Sequence, residues 1–243
     1  MIEEHQIVPY RCRALPLEQG PWLVCAPHAD DESFGMGGTL ALAAARGIQT
    51  HLVVLTDGAL GGQQTDLVTV RQREARAAAR ELGIAGVYFF GQPDRGLRVE
   101  PALIARLNAL LDTLQPSALF FPGVHELHPD HRSCALLAWE TLRQRGNPDL
   151  TAVAYEISMQ SPTNCLVDIS AVIERKRAAI AVYMSQLAEH EYLDLALALN
   201  RVRSYTLPRE VRWVEAFYCY DAGELLQPLQ DWALQQYGRV LNG

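Results

Sequence analysis

The chain has 243 residues, 49% hydrophobic and 20% charged. That composition excludes a disordered chain and permits a large core without disulfides or structural metals. Lys and Arg total 21 against 28 Asp and Glu, a net charge of −7 with no basic tail, which argues against nucleic acid and anionic membrane surfaces as partners. Cys12, Cys25, Cys134, Cys165 and Cys219 form no C-x-x-C pair and read as reduced thiols of a cytoplasmic protein. Glu3 and Glu4 stand where a signal peptide carries positive charge. No uncharged run approaches the ~20 apolar residues of a transmembrane segment.

The first apolar run, residues 22–26, lies between Pro21 and Pro27 and reads as a buried strand. Gly35-Met36-Gly37-Gly38 reads as a loop, followed by a helix over Thr39–Arg46 that stops at Gly47. Residues 50–55 read as a second strand, which makes a βαβ unit and implies a parallel sheet. A helix over Val70–Leu82, a strand over 86–90, a helix from Pro101 to Leu114 and a strand over 118–121 continue the alternation. A helix over His131–Arg143 and strands over 151–157 and 165–169 follow. Beyond them the pattern gives a helix starting near Asp168 or Ser170 and reaching Leu187, a helix over Leu193–Val202 and a strand over Val211–Tyr218. With no linker and no repeat, one α/β domain over 1–243 is the economical expectation.

Ligands of open α/β sheets bind outside the carboxyl ends of the strands. Four strands deliver polar residues to that edge: Pro27–Glu32 after the first, Thr56-Asp57-Gly58 after the second, Gly91–Arg95 after the third and His125–His131 after the fourth. An adjacent aspartate pair by itself is often a helix start. The pair Asp30-Asp31 gains weight from His28 three residues before Asp31, and a second cluster, H-x-x-H at His128 and His131, reaches the same edge. Two imidazoles and a carboxylate without a nearby cysteine suit zinc with an open position, and iron, nickel, cobalt and manganese stay open. Gly35-x-Gly37-Gly38 allows a nucleotide-binding alternative, but Asp30, Asp31 and Glu32 beside it would repel a pyrophosphate.

Pro27-His28-Ala29-Asp30-Asp31-Glu32 resembles the [AP]-H-P-D-D-E signature of the PIG-L/LmbE-like family, metal-dependent deacetylases of N-acetylglucosaminyl substrates. His128-Pro129-Asp130-His131 resembles its H-P-D-H motif. Thr56-Asp57-Gly58, the R-x-x-E helix from Arg71 to Glu74, Asp94, and Val167–Ser170 with Lys176, Ser185 and Gln186 extend the likeness over about residues 22–190. Ala29 replaces the usual Pro, and Tyr183 stands where many members have His, so no role is carried to Tyr183.

The resemblance implies a Rossmann-like three-layer sandwich with a mostly parallel sheet, which agrees with the alternation above. It implies Zn2+ or another divalent metal on His28, Asp31 and His131, and Asp30 as general base and then acid. His128 would stabilise the oxyanion with Asp130 orienting it, and Arg71 and Asp94 would touch substrate. A carboxylate such as Asp130 would favour an imidazolium at His128. The implied partner is a small N-acetylated amino sugar or glycoconjugate; trimers and hexamers are common in the family, so a homo-oligomer is open. Hydrolysis of another acyl or carbamoyl bond, or non-catalytic sugar or nucleotide binding on the same fold, are the alternatives.

Overall fold

The computed structural model describes residues 20–62, 65–147 and 149–242, and side chains only as far as Gln236; Cys12 and the pair Glu3 and Glu4 lie outside them. The strands are β1 (Trp22–Ala26), β2 (Thr50–Thr56), β3 (Gly86–Gln92), β4 (Ala118–Pro122), β5 (Thr151–Tyr155), β6 (Cys165–Asp168) and β7 (Val214–Cys219). The helices are α1 (Asp31–Ala45), α2 (Leu67–Leu82), α3 (Pro101–Leu114), α4 (Pro129–Arg145), α5 (Ile173–Ala181), α6 (Met184–Leu187), α7 (Tyr192–Val202) and α8 (Leu229–Asn242).

The sheet runs in the order β3-β2-β1-β4-β5-β7-β6. The first five strands in that order are mutually parallel, and β7 is antiparallel to both β5 and β6. Strand side chains alternate between faces, and the core divides accordingly. Trp22, Val24, Leu52, Val54 and Phe120 pack on one face with α1, α2 and α5 residues such as Leu40, Leu82 and Ile180. Leu23, Cys25, Val53, Leu55 and Phe121 pack on the other with Leu107 and Leu111 of α3, Leu137 of α4 and Trp232 of α8. Helices thus cover both faces, the expected three-layer arrangement. The chain steps outward from β1 to β3, then returns to the far side of β1 as β4. This reversal opens a crevice at the carboxyl ends of β1 and β4, where the two histidine motifs lie. Among the described residues no helix is long and apolar enough to cross a membrane.

Two expected boundaries need correction. The first helix begins at Asp31, not Thr39, and bends at Met36 (φ −141°, ψ 20°). Its glycines serve close packing: a Cβ on Gly35 would lie 2.4 Å from the Tyr155 ring, and one on Gly38 would lie 2.7 Å from Ile169. The bend is held by a fully buried ion pair. Lys176 Nζ donates to Phe34 O (2.8 Å) and Glu215 Oε1 (2.6 Å), while Glu215 accepts from the backbone N–H of Gly38 (2.8 Å) and Thr39 (2.7 Å).

The helix expected to reach Leu187 is instead a 3-10 turn (Ser170–Val172), α5 and α6, interrupted around Tyr183. Tyr183, Ser185 and Gln186 are all buried. At 100° per residue one helix cannot turn residues 183 and 185 the same way, so the chain breaks to bring both inward. The helix α8 was not anticipated; its Trp232 packs on Trp139 and Tyr220, with ring centroids 5.9 and 4.9 Å away.

Candidate active site

The loop after β1 and the start of α1 bring His28 and Asp31 together with His131, in the first turn of α4. Asp31 accepts the backbone N–H of His28 (2.9 Å), which folds the H-x-x-D segment onto itself. One Asp31 oxygen lies 3.2 Å from His28 Nδ1 and the other 3.3 Å from His131 Nε2. Donors held at about 2.0–2.2 Å from a tetrahedral cation are about 3.3–3.5 Å apart, and both contacts are close to that spacing, each made by a different Asp31 oxygen. All three residues are buried. Without a metal, burial disfavours both imidazolium forms. For His131 the Asp31 carboxylate outweighs it and lifts the pKa to about 9; for His28, bonds to Asp130, Asp31 and Asp94 raise it well above the usual value. Asp31, despite burial, is held well below the carboxylate range, chiefly by His131. Metal must displace the imidazole protons.

Asp30 precedes α1 with φ 140° and ψ −29°, a conformation non-glycine residues rarely adopt. Such backbone costs about 1–3 kcal/mol and persists only where its surroundings enforce it. Arg71 of α2, buried, donates to the Asp30 carboxylate (3.1 Å) and to Ala29 O (3.0 Å). Gly58 (φ +66°) and Gly61 make room for that guanidinium: a Cβ on either would come within 3 Å of it. Burial pushes Asp30 up to about 7, with Arg71 opposing and Asp31 adding to the rise. Arg71, expected on substrate, thus touches the residue expected to be the base.

His128 caps α4, its Nδ1 accepting the backbone N–H of Asp130 (3.2 Å). The neutral ring then carries its proton on Nε2. Burial, then the neighbouring His28 and His131, lower its pKa, the direction that favours a neutral Nε2–H donor. The Asp130 carboxylate faces His28 Nε2 (3.2 Å) and accepts from the backbone N–H of Arg95 (2.7 Å) and Leu97 (3.1 Å); its contact with His128 is made by its backbone. Asp94, also expected on substrate, lies 3.4 Å from His28 Nε2 and accepts from the Leu60 N–H (3.0 Å).

Glu126 received no role from the sequence. Buried, it lies 3.4 Å from His131 Nδ1 and accepts from Ile157 N (2.7 Å) and the Ser158 hydroxyl. A carboxylate on the far nitrogen fixes the imidazole tautomer and leaves Nε2 free for a metal. The signal available was a carboxylate two residues before H-x-x-H. Glu126→Gln is expected to weaken metal binding by about 10–100-fold, measured by chelator competition; unchanged affinity would exclude this role.

The fold and this edge define a Rossmann-like α/β protein with a His/Asp metal-binding group at its topological switch point. The chain belongs to the PIG-L/LmbE-like family: the family model described as GlcNAc-PI de-N-acetylase matches residues 23–142. A probable N-acetyl-alpha-D-glucosaminyl L-malate deacetylase 2 of Bacillus anthracis is 27% identical over 211 residues, covering 79% of this chain and 91% of the relative. Diacetylchitobiose deacetylase of Thermococcus kodakarensis is 27% identical over 225 residues, covering 82% and 84%. A conserved protein of Thermus thermophilus superposes with a TM-score of 0.74 at 31% identity, covering 81% and 93%. A 4-oxalmesaconate hydratase of Pseudomonas putida is 29% identical over 204 residues, covering 74% and 78%.

Proposed function

We propose that the protein is a zinc-dependent hydrolase that removes the N-acetyl group from an N-acetylglucosamine-type sugar or glycoconjugate. The observation that carries this is a buried, strained Asp30 beside Asp31, whose carboxylate lies against both His28 and His131. His28, Asp31 and His131 would hold the metal, which would supply Lewis acidity to water and to a carbonyl oxygen. Asp30 takes the proton of the attacking water as its oxygen bonds the acetyl carbon. Asp30 then gives that proton to the sugar nitrogen as the C–N bond breaks, and acetate and a free amine leave. The Nε2–H of His128 donates to the developing oxyanion. Arg71 holds the Asp30 carboxylate in place, and Asp130 and Asp94 set the ring of His28; Arg71 and Asp94 also border the room left for the sugar. Residues 1–243 act as one catalytic domain, supported by helix layers that share one sheet. Free thiols at Cys25 and Cys134 support a cytoplasmic location.

The test is release of acetate and free amine in equal amounts from a panel of N-acetylated amino sugars. Activity is expected to vanish with a chelator and return with added zinc. Full activity in verified metal-free protein would sink the proposal. So would hydration of 4-oxalmesaconate without amide cleavage, the reaction named for the Pseudomonas relative.

A further inference from the structure

Asp30 is anchored by more than the guanidinium of Arg71. Its backbone N–H donates to Glu32 Oε2 (3.3 Å). The other Glu32 oxygen accepts from the hydroxyls of Tyr183 (2.6 Å) and Ser33 (2.6 Å). Glu32, Ser33 and Tyr183 are all completely buried. Tyr183 comes from the break between α5 and α6, so a residue 151 positions away in sequence reaches the turn before α1.

Resting on the deacetylase proposal above, we infer that Tyr183 and Glu32 are positioning residues, a buried relay that holds Asp30 in the φ 140° conformation in which it serves the reaction. The physical argument is one of enforcement. A conformation this costly relaxes unless hydrogen bonds oppose it. Arg71 grips the side chain and, through Ala29 O, the carbonyl side of the peptide that precedes Asp30. The Glu32 carboxylate grips the peptide N–H, and the two hydroxyls fix that carboxylate. A buried carboxylate with one oxygen satisfied twice and the other turned to a single N–H is oriented rather than merely neutralised.

The test combines Tyr183→Phe and Glu32→Gln with Asp30→Asn. A glutamine at position 32 keeps the shape and can still accept from Tyr183, but presents an N–H to the N–H of Asp30. Both single variants are expected to keep their metal and their KM, with kcat lower by about tenfold for Tyr183→Phe and about 10²-fold for Glu32→Gln, the scale of an ~1 Å misplacement. In the Asp30→Asn background Tyr183→Phe is expected to change the residual rate less than twofold, because a relay acting through Asp30 has nothing left to position. A loss that multiplies in the double variant would show that Tyr183 merely stabilises the fold, and would overturn the relay. A crystal structure of Tyr183→Phe gives an arm independent of activity: Asp30 is expected to leave φ 140° or to occupy more than one conformation. An unchanged Asp30 backbone there overturns the relay even if kcat falls. Wild-type protein inactive on every N-acetyl sugar would overturn the deacetylase proposal alone.

Discussion

Replacing Asp30 by asparagine is expected to leave the metal content unchanged while turnover falls by about 10²–10⁴, the range for a general acid–base group. Asp31→Asn is expected to do the reverse first: it loses the metal, because a neutral amide is a poorer ligand than a carboxylate placed between His28 and His131. The pH profile carries a second sign. A base works deprotonated, so kcat/KM falls as pH drops through the pKa of Asp30, which stands at about 7 in the metal-free protein. A nearby cation favours the carboxylate, so the acidic limb of the loaded enzyme lies below 7, and Asp30→Asn removes it. If both aspartates only capped α1, each change would cost at most about 1 kcal/mol of stability, with normal turnover and metal. Metal content and kcat of the two variants decide the matter. Loss of metal from Asp30→Asn with retention in Asp31→Asn would reverse the assigned roles.

His128→Ala is expected to lower kcat by about 10²–10³ with little change in KM, the signature of a donor used only in the transition state. The donors of His28, His128 and His131 lie within 4.8 Å of one another, so distance alone would admit His128 as a ligand. Its hydrogen bond from Asp130 N–H argues otherwise, since that bond occupies Nδ1 and leaves Nε2 protonated. A pKa lowered below the usual 6.5 also makes the imidazolium a minority species at pH 7, so a charged donor would idle most of the enzyme. The neutral donor works throughout that range. Metal lost from His128→Ala would identify a ligand in place of a donor.

The strands β1 to β4 and helices α2 to α4 were legible because each is a local signal: an apolar run cut by Pro or Gly, or a 3.6-residue period ended by Gly83 or Pro116. The residues of the metal group were legible for the same reason, sitting directly after β1 and β4 in two compact motifs. What escaped depends on partners distant in sequence. The bend at Met36 answers to Tyr155, Ile169 and Glu215. The break at Tyr183 answers to Glu32 and, through Ser185, to Glu74. The insertion of β7 between β5 and β6 leaves no mark in either strand. Arg71 and Asp94 were found as residues, but their first partners, Asp30 and His28, became visible only in three dimensions.

The ion pair that seals the bend of α1 has a consequence in time. Every residue proposed to hold metal or move protons has been synthesised once the ribosome passes His131. Glu215, which caps the second half of the helix starting at Asp31, is then still untranslated. At ~5–20 residues per second the intervening stretch takes roughly 4–17 s. Through that interval a nascent chain carries the Asp31 carboxylate on a helix whose two halves are not yet fastened, where any cation would meet a pliable site. Discrimination among cations by geometry can begin only after β7 has threaded between β5 and β6. A metal held by these residues would therefore be selected by the folded protein, not by the chain in the making.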